Sequence, residues 1–124
     1  MDNDNTSMIN VLVAEDNDSN YLLVEHILKG YNVTRAINGI EAVKKVKDKD
    51  FDIILMDLKM PGMDGLEATR KIRAFNKEVP IVAVTANVFD SDKIATTEAG
   101  CNGFVSKPLR KKDLITEMER VMKS

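Results

Sequence analysis

Five short apolar runs rich in β-branched residues recur along the chain: Ile9–Ala14, Asn32–Ala36, Ile53–Asp57, Ile81–Thr85 and Gly103–Lys107. Segments with helical spacing lie between them. Runs that are short and almost continuously apolar predict strands buried on both faces, the situation of a parallel sheet covered by helices. Strand–helix alternation repeated five times, with right-handed crossovers, leaves a doubly wound parallel sheet as the simplest solution. At 124 residues the chain suffices for one such domain and is too short for a second.

The helical segments carry their own start and stop signals. Asn17 or Ser19 can cap the first, whose inward stripe is predicted as Leu23, Val24, Ile27 and Leu28, and Gly30 ends it. Asn38-Gly39-Ile40-Glu41 and Asp64-Gly65-Leu66-Glu67 each place Glu three positions after an Asx residue, resembling a capping box, so the second and third helices start there. Asp90 or Ser91 opens the fourth, which has few large apolar residues besides Ile94 and closes at Gly100; it should be the least firmly packed. The fifth, from about Lys111 to Met122, sets Leu114, Met118 and Val121 on one face. The expected architecture is therefore a flavodoxin-like α/β fold of five strands in the order 2-1-3-4-5 with five helices, occupying residues 9–124 after a polar leader, residues 1–8, read as a disordered tail or linker remnant.

Charge narrows the function. Eighteen basic residues are scattered among twenty acidic ones for a net charge of -2, so no electrostatic footprint for nucleic acid stands out, and Lys44-Lys45 and Lys111-Lys112 read as solvated helix faces. The lone cysteine, Cys101, has no disulfide partner and no metal-ligand spacing, which points to a reducing, cytoplasmic setting. No apolar stretch approaches the roughly 18 to 20 residues needed to cross a bilayer. A glycine-rich dinucleotide fingerprint, a Walker lysine loop and internal repeats are all absent from the sequence.

The chemistry sits where the strands end. Glu15-Asp16, Asp57, Thr85 and Lys107-Pro108 each follow or finish an apolar run. In a parallel sheet all of them reach the same edge, the one at which open α/β sheets bind ligands, with the switch point between the first and third strands. Glu15, Asp16 and Asp57 brought together would repel one another, a conflict that a divalent cation resolves. Oxygen-only ligands in a partly open site suit magnesium, with manganese as an alternative. Asp57 at the lip of a buried strand can attack phosphorus to form an acyl phosphate. Phosphoryl transfer depends mainly on positioning and charge neutralisation, which the Lys107 ammonium, the Thr85 hydroxyl and a metal would supply. Taken singly, each group also has a plainer reading: Glu15-Asp16 as a solvated acidic loop, Asp57 as a helix cap, Thr85 as a strand-end residue and Lys107 as a surface lysine.

Their order and spacing carry the weight. Val11-Leu12-Val13-Ala14-Glu15-Asp16-Asn17, Met56-Asp57-Leu58-Lys59-Met60-Pro61-Gly62-Met63-Asp64-Gly65, Val84-Thr85-Ala86-Asn87 and Lys107-Pro108-Leu109 together resemble the receiver (response-regulator) domain of two-component signalling, over essentially all of Ile9 to Met122. The Glu-Asp-Asn start and the Thr-Ala-Asn turn are most similar to receivers of hybrid sensor histidine kinases. The resemblance implies that Asp57 is the phosphoacceptor. It implies that Asp16, Asp57 and the backbone carbonyl of Lys59 bind magnesium, with Glu15 holding the ion through water. It further implies that Thr85 and Lys107 contact the phosphoryl group and that a cis Lys107–Pro108 peptide aims the lysine. As a switch, Thr85 would move toward the phosphoryl oxygens while Phe104 turns inward; the family often has Tyr at that position and Asp where this chain has Glu15. Phe104 can also be read simply as a core phenylalanine. Lys59 and Asn87 stand where the family tunes the lifetime of the phosphoryl group.

Partners follow from the same resemblance: a sensor histidine kinase or a histidine phosphotransfer protein as donor, with a homodimer through the fourth and fifth helices as an option. Leu22, facing away from the inward stripe beside His26, is a candidate docking residue for the donor helix. The chain is expected not to be a conventional enzyme. A haloacid-dehalogenase-type phosphatase would need an acid two residues after the nucleophile, where Lys59 stands, and a flavin carrier would need a hydroxyl- and glycine-rich loop where Glu15-Asp16-Asn17-Asp18 stands. A receiver-like module that binds a protein partner without being phosphorylated remains the alternative.

Overall fold

The computed structural model describes residues 8–86 and 90–123, with the side chains of residues 90–92 outside that set. The leader up to Ser7 and Asn87 therefore lie outside the described residues, as do the side chains of Asp90 and Ser91, the two proposed openers of the fourth helix. Strands β1 (Asn10–Ala14), β2 (Asn32–Ala36), β3 (Ile53–Asp57), β4 (Ile81–Thr85) and β5 (Gly103–Ser106) alternate with helices α1 (Asp18–Ile27), α2 (Gly39–Asp48), α3 (Gly65–Arg73), α4 (Asp90–Ala99) and α5 (Lys111–Lys123). All strand pairs are parallel, in the order β2-β1-β3-β4-β5. This is the predicted doubly wound sheet, and its two outer strand boundaries differ from expectation by one residue: β1 starts at Asn10 and β5 ends at Ser106.

Strand side chains alternate between two cores. Val11, Val13, Ile53, Leu55, Val82, Val84 and Val105 face α1 and α5, whereas Leu12, Ala14, Ile54, Met56 and Ile81 face α2 and α3. The period of two thus divides an unbroken apolar run between both faces of the sheet. β3 and β4 are buried along their whole length, so their last residues, Asp57 and Thr85, emerge from the most desolvated part of the molecule.

Helix termini follow local chemistry. Asn17, Asn38 and Asp64 each cap a helix by accepting a hydrogen bond from the N–H three residues on, at 2.9, 2.8 and 2.9 Å. The Glu41 carboxylate returns not to Asn38, as a capping box requires, but to the Ile37 N–H at 2.9 Å. Gly30 and Gly100 follow α1 and α4 with φ of +94° and +113°, the left-handed region that glycine enters without penalty.

One expectation about a helix face needs correction. Leu23 is 43% exposed, and the inward face of α1 is made by Tyr21, Val24, Ile27 and Leu28. At 3.6 residues per turn Leu23 lies about 100° round from Val24, which carries it past the edge of the buried stripe. On α4, Ile94 is 60% exposed, and the helix buries the small residues Thr96 and Ala99. The fifth helix buries Leu114, Met118 and Val121, as its spacing predicts.

Candidate functional site

The parallel register brings the candidate residues to one end of the sheet. Ala14 pairs with Met56, Asp57 with Val84, and Thr85 with Ser106, so Glu15-Asp16, Asp57, Thr85 and Lys107 all stand at or just beyond the carboxyl ends of β1, β3, β4 and β5. Glu15, Asp57 and Thr85 are buried, Asp16 is exposed, and the Lys107 side chain is 26% exposed. Glu15, Asp16 and Asp57 each offer a carboxylate oxygen within 4.8 Å of the other two.

The two buried carboxylates are each held by the loop that follows their strand. Asp57 Oδ1 accepts from the Lys59 N–H at 3.1 Å, and Asp57 Oδ2 accepts from Lys107 Nζ at 3.0 Å. Glu15 Oε2 accepts from the Asn17 N–H at 3.1 Å while its Oε1 lies 3.6 Å from Lys107 Nζ. One ammonium therefore bridges two buried carboxylates. The Lys107–Pro108 peptide bond is cis, and the Lys107 N–H donates to the Thr85 carbonyl at 2.8 Å, tying the last two strand ends together.

The electrostatics follow from burial and from like charge. Burial pushes the Glu15 carboxyl above the ordinary carboxylate range; the Asn17 N–H opposes that, the neighbouring Asp57 adds to it, and Lys107 pulls against it. For Lys107, burial works downward but the hydrogen bond and charge of Asp57, joined by Glu15, outweigh it and raise the ammonium above its usual value. Three carboxylates facing one cation leave an excess of negative charge with oxygen donors only. That donor set fits a hard divalent cation.

Phe104 is half-buried on β5. Lys93 Nζ of α4 lies 5.2 Å over its ring, and the main-chain N–H of Phe104 donates to Glu117 Oε2 of α5 at 3.0 Å. Leu22 projects from α1 with 61% of its surface exposed.

Sequence reading missed two supports of this edge. A Cβ at Gly65 would strike the backbone oxygen of Asp57 and crowd Leu58 Cα, so only glycine lets the start of α3 close against the end of β3. The Asp64-Gly65 pair signalled a helix start but not this approach. Arg35 Nε donates to the Glu15 carbonyl at 3.1 Å from the neighbouring strand, a contact that only the β1–β2 register reveals.

Residues 11–119 match the family model of the response regulator receiver domain. The chain belongs to that family. As a receiver domain it resembles hybrid signal transduction histidine kinase G of Dictyostelium discoideum, with 39% identity over 116 residues; the match spans 88% of this chain and 3% of that protein. Its fold superposes on the receiver domain of sensor histidine kinase PA1611 from Pseudomonas aeruginosa with a TM-score of 0.88 and 37% identity, over 95% of this chain and all of that one; that structure has a magnesium ion coordinated in its active-site cleft. A third likeness is to a chain in the co-crystal structure of the Saccharomyces cerevisiae histidine phosphotransfer signaling protein Ypd1 with the receiver domain of its downstream response regulator Ssk1. It has a TM-score of 0.87 and 32% identity over 94% of this chain and 90% of that chain. This receiver is thus a domain of two-component signalling, similar to receivers found within sensor kinases. Among the described residues no helix is long and apolar enough to cross a membrane.

Proposed function

We propose that this receiver domain accepts a phosphoryl group on Asp57 from a phosphohistidine donor in a magnesium-dependent reaction, and that the modification shifts its α4–β5–α5 face to carry a signal. The observation that carries the reading is the pair of contacts that Lys107 Nζ makes, 3.0 Å to Asp57 Oδ2 and 3.6 Å to Glu15 Oε1, inside a cluster of three carboxylates at one sheet edge.

In the transfer step an Asp57 carboxylate oxygen attacks phosphorus, the bond from phosphorus to the imidazole nitrogen breaks, and its electron pair returns to that nitrogen. Asp57 Oδ1 is steadied by the Lys59 N–H, so the nucleophile is oriented before the donor arrives. Lys107 supplies a fixed positive charge for the transferring oxygens, and the Thr85 hydroxyl at the adjacent strand end supplies a donor. Asp16, Asp57 and the Lys59 carbonyl would hold the magnesium ion, with Glu15 bound through water. When bound, the ion would neutralise charge on the phosphoryl oxygens. Phe104, half-buried under Lys93, would turn inward as Thr85 moves toward the phosphoryl group.

On this reading the chain is a phosphoacceptor that assists its own phosphorylation and hydrolysis, and not a conventional enzyme. Its donor is a sensor histidine kinase or a histidine phosphotransfer protein, docked against Leu22, and it works in the cytoplasm as residues 9–124, with a dimer through α4 and α5 as one form of output. Radiolabelled phosphotransfer tests it. A phosphorylated histidine phosphotransfer protein should pass label to the wild type but not to Asp57→Asn. Label that persists in Asp57→Asn would move the acceptor elsewhere, and no label on either would favour a module that binds without phosphorylation.

A further inference from the structure

Arg35 makes an unusual set of contacts beneath the carboxylate cluster. It lies on β2, yet its guanidinium reaches across to the loop that joins β1 to α1. Nε donates to the Glu15 carbonyl at 3.1 Å, Nη1 pairs with Asp18 Oδ1 at 2.9 Å, and Cζ stands 4.7 Å over the Tyr21 ring. Nη2 is buried without a hydrogen-bond partner among the described residues.

As a source of stability this arrangement is poor. The Asp18 side chain is 87% exposed, so the ion pair is solvent-screened and weak, and a buried unsatisfied donor works against folding. As a brace it is effective. The Glu15 carbonyl belongs to the rigid peptide plane that joins Glu15 to Asp16, so fixing that oxygen fixes the direction in which the Asp16 main chain leaves the strand. Asp16 is exposed, so the main chain must aim its side chain. The second contact, at Asp18, reaches the first residue of α1, three residues further on. The Glu15 N–H is already bound to the Ala36 carbonyl at 3.0 Å, so main chain and guanidinium hold both ends of Glu15 from β2.

We infer that Arg35 is a positioning residue: by holding the β1–α1 loop at the Glu15 carbonyl and the start of α1 at Asp18, it sets how tightly the Glu15–Asp16–Asp57 cluster holds a divalent cation. The inference rests on the reading of that cluster as a magnesium site. Its direction separates geometry from charge. By charge alone, removing a guanidinium near three carboxylates should tighten cation binding, whereas loss of a brace should loosen it.

Isothermal titration of the whole chain with magnesium chloride, for the wild type, Arg35→Gln and Arg35→Lys, tests this, with the metal-free thermal midpoint measured alongside. Both substitutions are expected to weaken magnesium binding by about tenfold, the scale at which outer partners of metal ligands act. Lysine keeps the charge but cannot donate to the Glu15 carbonyl and Asp18 with the same planar fork, so its loss of affinity isolates geometry; it also carries the test if Arg35→Gln does not fold. Unchanged or tighter binding in Arg35→Lys, with wild-type binding intact, would overturn the inference and leave the metal site standing, even if the thermal midpoint falls. A wild type that takes up no magnesium would overturn the metal reading and this inference together.

Discussion

Lys107 Nζ lies 3.0 Å from Asp57 Oδ2, joining the end of β5 to the end of β3 across the strand between them. The Asp57 and Glu15 side chains that share this ammonium are only 5% and 4% exposed, so neither has water to fall back on. Without metal, this ammonium is the positive charge that both buried carboxylates share, alongside the Asn17 N–H on Glu15 and the Lys59 N–H on Asp57.

Removing it should therefore expose the repulsion. In metal-free buffer Lys107→Ala is expected to lose about 3 kcal/mol of stability, the scale found when one member of a buried ion pair is deleted. Magnesium should restore part of that loss, because a ligand bound only by the folded state stabilises it. Urea unfolding with and without magnesium measures both effects; a variant as stable as the wild type without metal would contradict the role assigned to this contact.

A second prediction concerns pH at the far side of β5. Glu117 accepts from Arg120 at 2.8 Å on each oxygen and from the Phe104 N–H at 3.0 Å. The Arg120 hydrogen bonds hold its carboxyl below the ordinary value of 4.5, against the opposing effect of burial and with help from the Phe104 N–H. A carboxyl whose folded pKa is depressed contributes stability above its unfolded pKa and loses it as pH falls through the folded value. Glu117→Gln should thus be less stable than the wild type at pH 7, with the gap narrowing below pH 4.5. Thermal melts across that range check it. A gap that stays constant with pH would assign the loss to packing.

Gly65 offers a third. Its missing side chain lets the α3 start sit against the backbone of Asp57, and rigid main chain cannot yield as a flexible side chain can. Gly65→Ala should cost about 2 kcal/mol by overpacking. Gly103→Ala would meet first the ends of the Glu117 and Arg120 side chains and should cost less. Denaturant midpoints of the two variants, compared with the wild type, give the order directly; the reverse order would contradict the contact.

Much of this molecule is legible in its residues because buried parallel strands leave an unbroken apolar signature. Ile53-Ile54-Leu55-Met56 and Ile81-Val82-Ala83-Val84 could hardly be anything else, and once they are parallel, Asp57 and Thr85 must share an edge. The helices were harder to orient. Leu23 and Ile94 are apolar residues on the flank or outer side of short helices, where periodicity over ten residues cannot separate an edge from a centre. Contacts that depend on the register between strands had no local signal at all. Neither the reach of Arg35 to the Glu15 carbonyl nor the approach of Gly65 to Asp57 is encoded in spacing along the chain. Glu41 shows the same limit on a small scale: its motif announced a capped helix, yet its carboxylate chose the N–H of Ile37 over that of Asn38.

The most direct test of the account is intact mass after incubation with acetyl phosphate, with and without magnesium, for the wild type and Asp57→Asn. A single phosphoryl adduct that needs magnesium, is removed by hydroxylamine and is missing from Asp57→Asn is the predicted result. Folded, magnesium-saturated wild type that stays unmodified under acetyl phosphate and a phosphohistidine donor alike would contradict it.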